Sequence, residues 1–420
     1  MRTKNLLLDI ALTHLTGRVR QTAIAVLGVA LGVGFFVSIA AMMQGFHGHF
    51  RQTIIDVSPH IIMEDEFRAR TRQAVSLKFD FDHTAISLLG VKPKEEIRGI
   101  KGAQDIVATL DKAPGLHVSP VLEGQIFYRY GATDVSSNLI GIDPKRERHI
   151  TQIEDDLIAG SLEALLTHSN GVILGTGVAD DLNAKMGDTL TAISPAGVIK
   201  NVKVVGIFKS DIVELDNAVS YTLLKQAQIL QKRANVINTI RFALDNPEDA
   251  ETMARMIEAR YRYKSISWQE ANEGILSMFV IEKLIMYAVT WAILVVACFG
   301  IFNIISTLIN EKARDIAILK SIGFTESDIQ FIFLLQGVVI GLAGMVLGWG
   351  LGYIMTRGFE EIPIDMDVFI EVQHFMVEYS IWHYIVGGVF CVLSATFAAW
   401  LPARKAALLK PVDIIRGAAG

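Results

Sequence analysis

The chain has 420 residues, 51% of them hydrophobic and 20% charged, with a formal net charge of −5 and a mean hydropathy of +0.39. These figures suit a chain that is half membrane-embedded; the net charge averages over opposed pieces and says little about partners, and no nucleic-acid partner is expected. Its two cysteines, Cys298 and Cys391, both lie inside apolar runs, which excludes a disulfide scaffold for the polar part.

Residues 1–20 form an amphipathic segment with Arg2, Lys4, Arg18 and Arg20 against a single Asp9. The first apolar span is Gln21–Met43. It carries no charged side chain and is far longer than the roughly 7–15 residues of a signal-peptide core, so a retained transmembrane helix is expected. Residues 44–275 follow as a mixed-polarity domain of the α+β class. Strands are predicted at Pro59–Met63, His117–Leu122, Gln125–Tyr130, Asn138–Ile142, Gly171–Leu174, Thr189–Ile193, Val202–Phe208 and Val236–Leu244. Helices are predicted at Asp180–Lys185 and at Pro247–Tyr261, the latter capped by Asn246 with proline in its first turn. Phe67–Gly102 is charge-rich and poorly patterned, and reads as an exposed insertion.

Three more spans crowd the C-terminal third at Leu284–Ile309, Phe331–Met355 and Ile381–Leu401. The segments between and after them differ in charge. The loop 356–380 holds Glu360, Glu361, Asp365, Asp367, Glu371 and Glu378, whereas the tail 402–420 holds Arg404, Lys405, Lys410 and Arg416. Cation-rich segments stay on the cytoplasmic side. Both termini are therefore expected inside, with the large domain and the acidic loop outside.

Several chemical readings fail. Gly175-Thr-Gly177-Val-Ala-Asp180 lacks the third glycine of a dinucleotide loop, and no P-loop occurs, so the chain is not expected to cradle ATP phosphates itself. His47 and His49, two residues apart on a helix, diverge by about 200° and suit a shared metal poorly. No catalytic constellation and no metal site is predicted.

Binding surfaces are more informative. Gly337, Gly341, Gly344, Gly348 and Gly352 in the third span, and Gly28, Gly32 and Gly34 in the first, allow close helix approach. Packing within one chain and dimerisation both fit that pattern. Phe35, Phe36, Met42, Met43, Met278, Phe279, Met286 and Tyr287 gather at the outer ends of the first two spans, beside Glu282 and Lys283. Such a set suits acyl chains or other apolar cargo, and equally suits lipid-facing helices. Residues 310–328 encode a short amphipathic helix on the inner side. Ile316, Leu319 and Ile322 form its apolar stripe, Lys312, Arg314, Asp315 and Lys320 its wet face, Gly323 its stop, and Thr325 with Asp328 a capping box for the next span.

The run Glu311-Lys-Ala-Arg-Asp-Ile-Ala-Ile-Leu-Lys-Ser-Ile-Gly323 resembles the coupling-helix motif of FtsX/MacB-type ABC transporter permeases, as does the ending Leu401–Arg416. Met278–Met286, Gly141–Pro144, Val172–Gly175, Leu182–Asp188 and Gly206–Phe208 followed by Glu214–Asp216 resemble the lipoprotein-releasing permeases of that superfamily, the LolC/LolE group. The resemblance implies an inner-membrane half-transporter with four helices and a MacB-like periplasmic core domain between the first and second. It implies a separate cytoplasmic ATPase, similar to LolD, that binds ATP-Mg and docks on Glu311, Lys312, Arg314, Asp315, Ile316, Leu319 and Lys320. A second permease copy or paralogue would complete the complex. The work would be mechanotransmission, lifting lipoprotein or lipid cargo toward a periplasmic chaperone from an outward-opening cavity formed by spans one and two of the two subunits. One departure is clear. The connection Ser194–Asn201, where LolC carries a long chaperone-capturing hook, is short. A MacB-like exporter with a periplasmic adaptor, or an FtsX-like regulator of a cell-wall hydrolase, are the alternatives.

Overall fold

The computed structural model describes residues 2–65, 99–210, 212–366 and 372–409. Most of the expected insertion Phe67–Gly102 and the end of the basic tail, with Lys410 and Arg416, lie outside the described residues. The chain divides into two units, one formed by residues 1–49, 277–365 and 372–420, the other by residues 50–276 and 366–371.

In chain order, α1 (Arg2–Thr16) and α2 (Val19–Val57) lead to β1 (Ile61–Glu64), α3 (Ala103–Leu110), β2 (Leu116–Tyr130), β3 (Thr133–Ile142), α4 (Pro144–Glu147) and β4 (Leu157–Gly160). Next are α5 (Ala164–Thr167), β5 (Gly171–Gly175), α6 (Thr176–Leu182), β6 (Thr189–Ile193), β7 (Ile199–Phe208), α7 (Val213–Ala218) and β8 (Val219–Leu223). The mixed part closes with α8 (Leu224–Leu230), β9 (Thr239–Leu244), α9 (Ala250–Tyr261), β10 (Lys264–Ser267) and α10 (Trp268–Ala271). The C-terminal part holds α11 (Glu273–Glu311), α12 (Ala313–Ser321), α13 (Glu326–Glu360), β11 (Pro363–Met366), β12 (Val372–His374) and α14 (Ile381–Ala407).

In the first unit, α2, α11, α13 and α14 are long and apolar enough to cross a membrane. All four overrun their apolar limits. The first runs to Val57 rather than Met43, and the second starts at Glu273 rather than Leu284. Hydropathy marks only the part in hydrocarbon, while the helical hydrogen-bond ladder continues through polar residues. Glycine decides the packing. On α13, a Cβ at Gly337 or Gly341 would meet Ala399 and Ala395 of α14, and one at Gly344, Gly348 or Gly352 would meet Val29, Val33 and Val37 of α2. The order of these pairs makes α13 parallel to α2 and antiparallel to α14. The glycines of α13 thus serve packing within the chain. On α2, only Gly34 faces α13, Gly32 approaches Ile293 of α11, and Gly28 has open space around it. The acidic loop contains the two-stranded β11–β12 sheet, which its charge had masked.

The second unit is a ten-stranded sheet of order β10-β1-β9-β2-β3-β8-β5-β7-β4, with β6 paired to β2 and β7. The two strands expected at His117–Leu122 and Gln125–Tyr130 are one. Residues Leu116–Val121 of β2 pair with β9, and Leu122–Tyr130 pair with β3, so a single strand belongs to two ladders. The sequence pattern misses β4, β8 and β10. The first and last are four-residue edge strands. The other buries Ser220 and Thr222, which hides its apolar alternation. Their hydroxyls are satisfied by Tyr128 Oη at 2.9 Å and by the Gly171 carbonyl at 2.8 Å. Helix α6 is displaced from its expected place, Asp180–Lys185. It begins at Thr176 and ends at Leu182, because Asn183 takes the left-handed conformation (φ 52°) that terminates a helix. Asn246 does cap the turn Pro247–Asp249 that opens into α9.

One charged group is locked inside this unit. Arg241 on β9 donates to Glu147 Oε1 at 3.0 Å and Glu123 Oε1 at 2.8 Å, and Ser119 Oγ donates to Glu147 Oε2 at 2.7 Å. Glu147 has no solvent exposure. Burial alone would lower the Arg241 pKa, but the two carboxylates outweigh it and hold the guanidinium charged. Burial pushes the neighbouring Tyr221 phenol up to about 12.

Candidate functional site

The alternating helix directions give the first unit two ends. At one end α11 stops at Glu311, the chain turns at Lys312, and α12 packs on the helix core. Ile316 and Ala317 are buried, and Leu319 packs on the same core. Gly323, at φ +109°, ends the helix. The capping box then forms as expected. Thr325 N donates to Asp328 Oδ2 at 2.9 Å, and Asp328 N donates back to Thr325 Oγ1 at 3.2 Å.

Two predicted positions are corrected here. Ile322 is 70% exposed rather than part of the buried stripe, because it follows the last helical turn. Lys320 is turned inward, its side chain only 12% exposed, with Nζ donating to the carbonyls of Ala407 at 2.7 Å and Leu409 at 2.9 Å. Glu311 belongs to α11 and pairs with Arg18 at 2.6 Å, and Lys312 pairs with Asp315 at 2.8 Å. The outward side of α12 therefore presents Arg314, Asp315 and Ile318, with Ile322 exposed just past its end. Ile318 and Ile322, one turn apart, are exposed aliphatics, of which periodicity gave Ile318 no role and placed Ile322 in the buried stripe; their spacing was the available signal. This face can hold a partner by two charges of opposite sign around an apolar centre. Helix α1 braces the same end. Leu7, Ala11 and Leu15 enter the helix core, and Gln336 Nε2 donates to His14 Nδ1 at 3.3 Å. Burial, and then the Lys312 ammonium, hold His14 below the ordinary imidazole value.

At the other end the predicted apolar set divides. Phe36 and Tyr287 line one cavity of about 280 Å³ with Thr290, Trp291, Val386 and Phe390, between α2, α11 and α14. Trp291 and Phe390 also wall an adjoining groove of about 610 Å³ between α11 and α14, continued by Phe299 and Phe397. Met43 is buried and Met286 packs into the helix core, whereas Phe35 and Met278 point outward. Met42 is half-buried and lines neither space. Phe279 is covered by the His47 ring, stacked at 4.0 Å, and Glu282 accepts from His47 Nε2 at 3.1 Å. Sequence reading missed the α14 wall because its aromatics are remote in the chain from those of α11. A polar cluster ties α2 to the segment before α14. Gln44 Nε2 donates to Glu378 Oε1 at 2.8 Å, His383 Nε2 lies 2.7 Å from Gln44 Oε1, and Glu378 N donates to the Ala41 carbonyl. Among the described residues, no group of three or more His, Cys, Asp or Glu side chains is placed to hold a metal ion.

Residues 22–260 match the family of MacB-like periplasmic core domains, and residues 287–411 match the C-terminal domain of FtsX-like permeases. The chain is an ABC transporter permease of the FtsX/MacB type. The similarity of this permease to known proteins runs nearly end to end. It is 25% identical to the lipoprotein-releasing system transmembrane protein LolC of Neisseria meningitidis serogroup B, over 94% of each chain. It is 23% identical to the ABC transporter permease YknZ of Bacillus subtilis, over 97% of each. To the macrolide export ATP-binding/permease protein MacB of Shewanella oneidensis it is 21% identical, over 97% of this chain and 60% of that one. With these relatives and its four apolar helices, this permease is a multi-pass membrane protein.

Proposed function

We propose that this permease extracts lipoproteins, or another lipid-bearing cargo, from the outer leaflet of a bacterial inner membrane for transfer outward. The observation that carries the reading is the cavity between α2, α11 and α14, walled by Phe36, Tyr287, Trp291 and Phe390 and floored by Gly32 and Gly387. Glycine removes side-chain bulk from a seam otherwise lined by aromatic and aliphatic groups, leaving a slot whose chemistry suits acyl chains. Full-length similarity to a lipoprotein-releasing LolC supports the same choice. The end bearing α12 faces the cytoplasm in this reading, as the cations Arg18, Arg404 and Lys405 favour, and the sheet unit is periplasmic. A separate ATPase binds ATP-Mg and contacts Arg314, Asp315, Ile318 and Ile322. A second permease, identical or paralogous, completes the transporter, which works by mechanotransmission.

The β6–β7 connection favours a second reading for the final hand-off. Ser194 N donates to the Val198 carbonyl at 2.9 Å around Gly197 (φ +76°), a tight hairpin with no room for a hook. A MacB-like adaptor could take the place of a chaperone there.

The test is co-purification with the native ATPase, followed by mass spectrometry of bound lipid and lipoprotein. Tyr287→Asp, exposed enough to fold and placed in the cavity wall, is expected to lose acylated cargo. Retention of the same cargo by the variant, or a bound peptide without acyl chains, would reject the reading. Arg314→Glu combined with Asp315→Arg is expected to release the ATPase.

A further inference from the structure

Lys320 stands in the coupling-helix motif, yet it does not face outward. Its ammonium reaches across to the end of α14, donating to Ala407 O at 2.7 Å and Leu409 O at 2.9 Å, with Glu326 Oε1 at 3.7 Å. The chemistry is specific. The last carbonyls of a helix have no intrahelical donor and carry the negative end of its dipole. A lysine ammonium offers three donors and a full positive charge, so it satisfies the Ala407 carbonyl at the helix end and the Leu409 carbonyl just past the C-cap, and neutralises the terminus.

The consequence is mechanical. By peptide connection α12 touches α11 and α13, and neither link reaches α14. From α14 the close contacts continue, through Ala399 and Ala395 to Gly337 and Gly341 of α13, and from Gly344, Gly348 and Gly352 to Val29, Val33 and Val37 of α2. We propose that Lys320 is a positioning residue that bolts α12 to the C-terminal end of α14. A displacement of α12 by the ATPase then moves α14, and with it the glycine-packed helices α13 and α2. This rests on the reading of α12 as the ATPase contact.

A contiguous set of contacts is not by itself a coupling path, so the test must follow motion. Spin labels at Leu284→Cys and Trp382→Cys, in the full complex with Cys298 and Cys391 replaced by serine, report the separation of α11 and α14 at the end remote from α12. Trapping ATP should shift that distance in the parent and in Lys320→Arg. Lys320→Gln, with the ATPase still bound, should abolish the shift. A shift that survives in Lys320→Gln, a parent without any shift, an arginine variant that fails like the glutamine one, or a glutamine variant that sheds the ATPase would each overturn the assignment. Failure of the underlying reading is separable: the ATPase would then stay bound to the Arg314→Glu/Asp315→Arg variant, whatever Lys320 does.

Discussion

Gly348 of α13 lies against Val33 of α2 so closely that a Cβ on the glycine would stand 2.7 Å from the valine Cβ. Nothing but hydrogen fits there. Gly350, two residues on, faces open space. Gly348→Leu should therefore lower bundle stability by roughly 1–3 kcal/mol, the usual cost of overpacking, and Gly350→Leu should be neutral. Thermal unfolding of the detergent-solubilised chain separates them, and equal melting temperatures would refute the packing.

The buried Arg241–Glu147 pair makes a second contrast. Arg241→Met leaves the fully enclosed Glu147 carboxyl without its cationic partner and held by Ser119, and should destabilise the sheet unit by about 3–5 kcal/mol. Adding Glu147→Leu should recover much of that loss, since an apolar pair of similar volume needs no desolvation. Chemical denaturation of both variants checks this; a double variant no better than the single one would count against it.

Acid sensitivity follows from His60. Burial holds its pKa below the ordinary 6.5, and Leu244 N donates to Nδ1 at 2.9 Å, so that nitrogen carries no proton. With the folded value depressed, the unfolded chain binds the proton more readily. The stabilisation is complete above about 6.5 and is lost as pH falls through the folded value. Melting temperature should drop on moving from neutral pH toward pH 5, and His60→Asn, which keeps an acceptor without a titrating ring, should flatten the drop. An unchanged slope would exclude His60 as a contributor.

Ile316 and Ile318 are two positions apart on α12, yet one is buried and the other is 58% exposed. Ile316→Ala should cost about 2–5 kcal/mol of the chain's own stability through the cavity it leaves. Ile318→Asp should leave the melting temperature alone and weaken ATPase co-purification. A destabilised Ile318→Asp with full ATPase binding would reverse the assignment of faces.

The sequence made some elements plain and hid others, for physical reasons. Glu123 and Gly124 interrupt the apolar alternation of β2, so two strands were expected where cross-strand pairing holds one. Lys320 reads as solvated because charge predicts exposure, and only the end of α14 shows why it turns inward. Ile322 reads as buried because periodicity extends past the point where the helix stops.

What the sequence by itself determined is whatever depends on neighbours along the chain. The four apolar spans, the Gly323 stop with its Thr325–Asp328 restart, and the glycine ladder of α13 all belong to this class, since transfer from water, capping and backbone freedom act within a few residues. The tertiary structure decided which helix each glycine meets, which aromatics share the cavity, and which end of α14 Lys320 holds. Those contacts join residues such as Phe36 and Phe390, or Lys320 and Ala407, whose proximity only the folded chain creates.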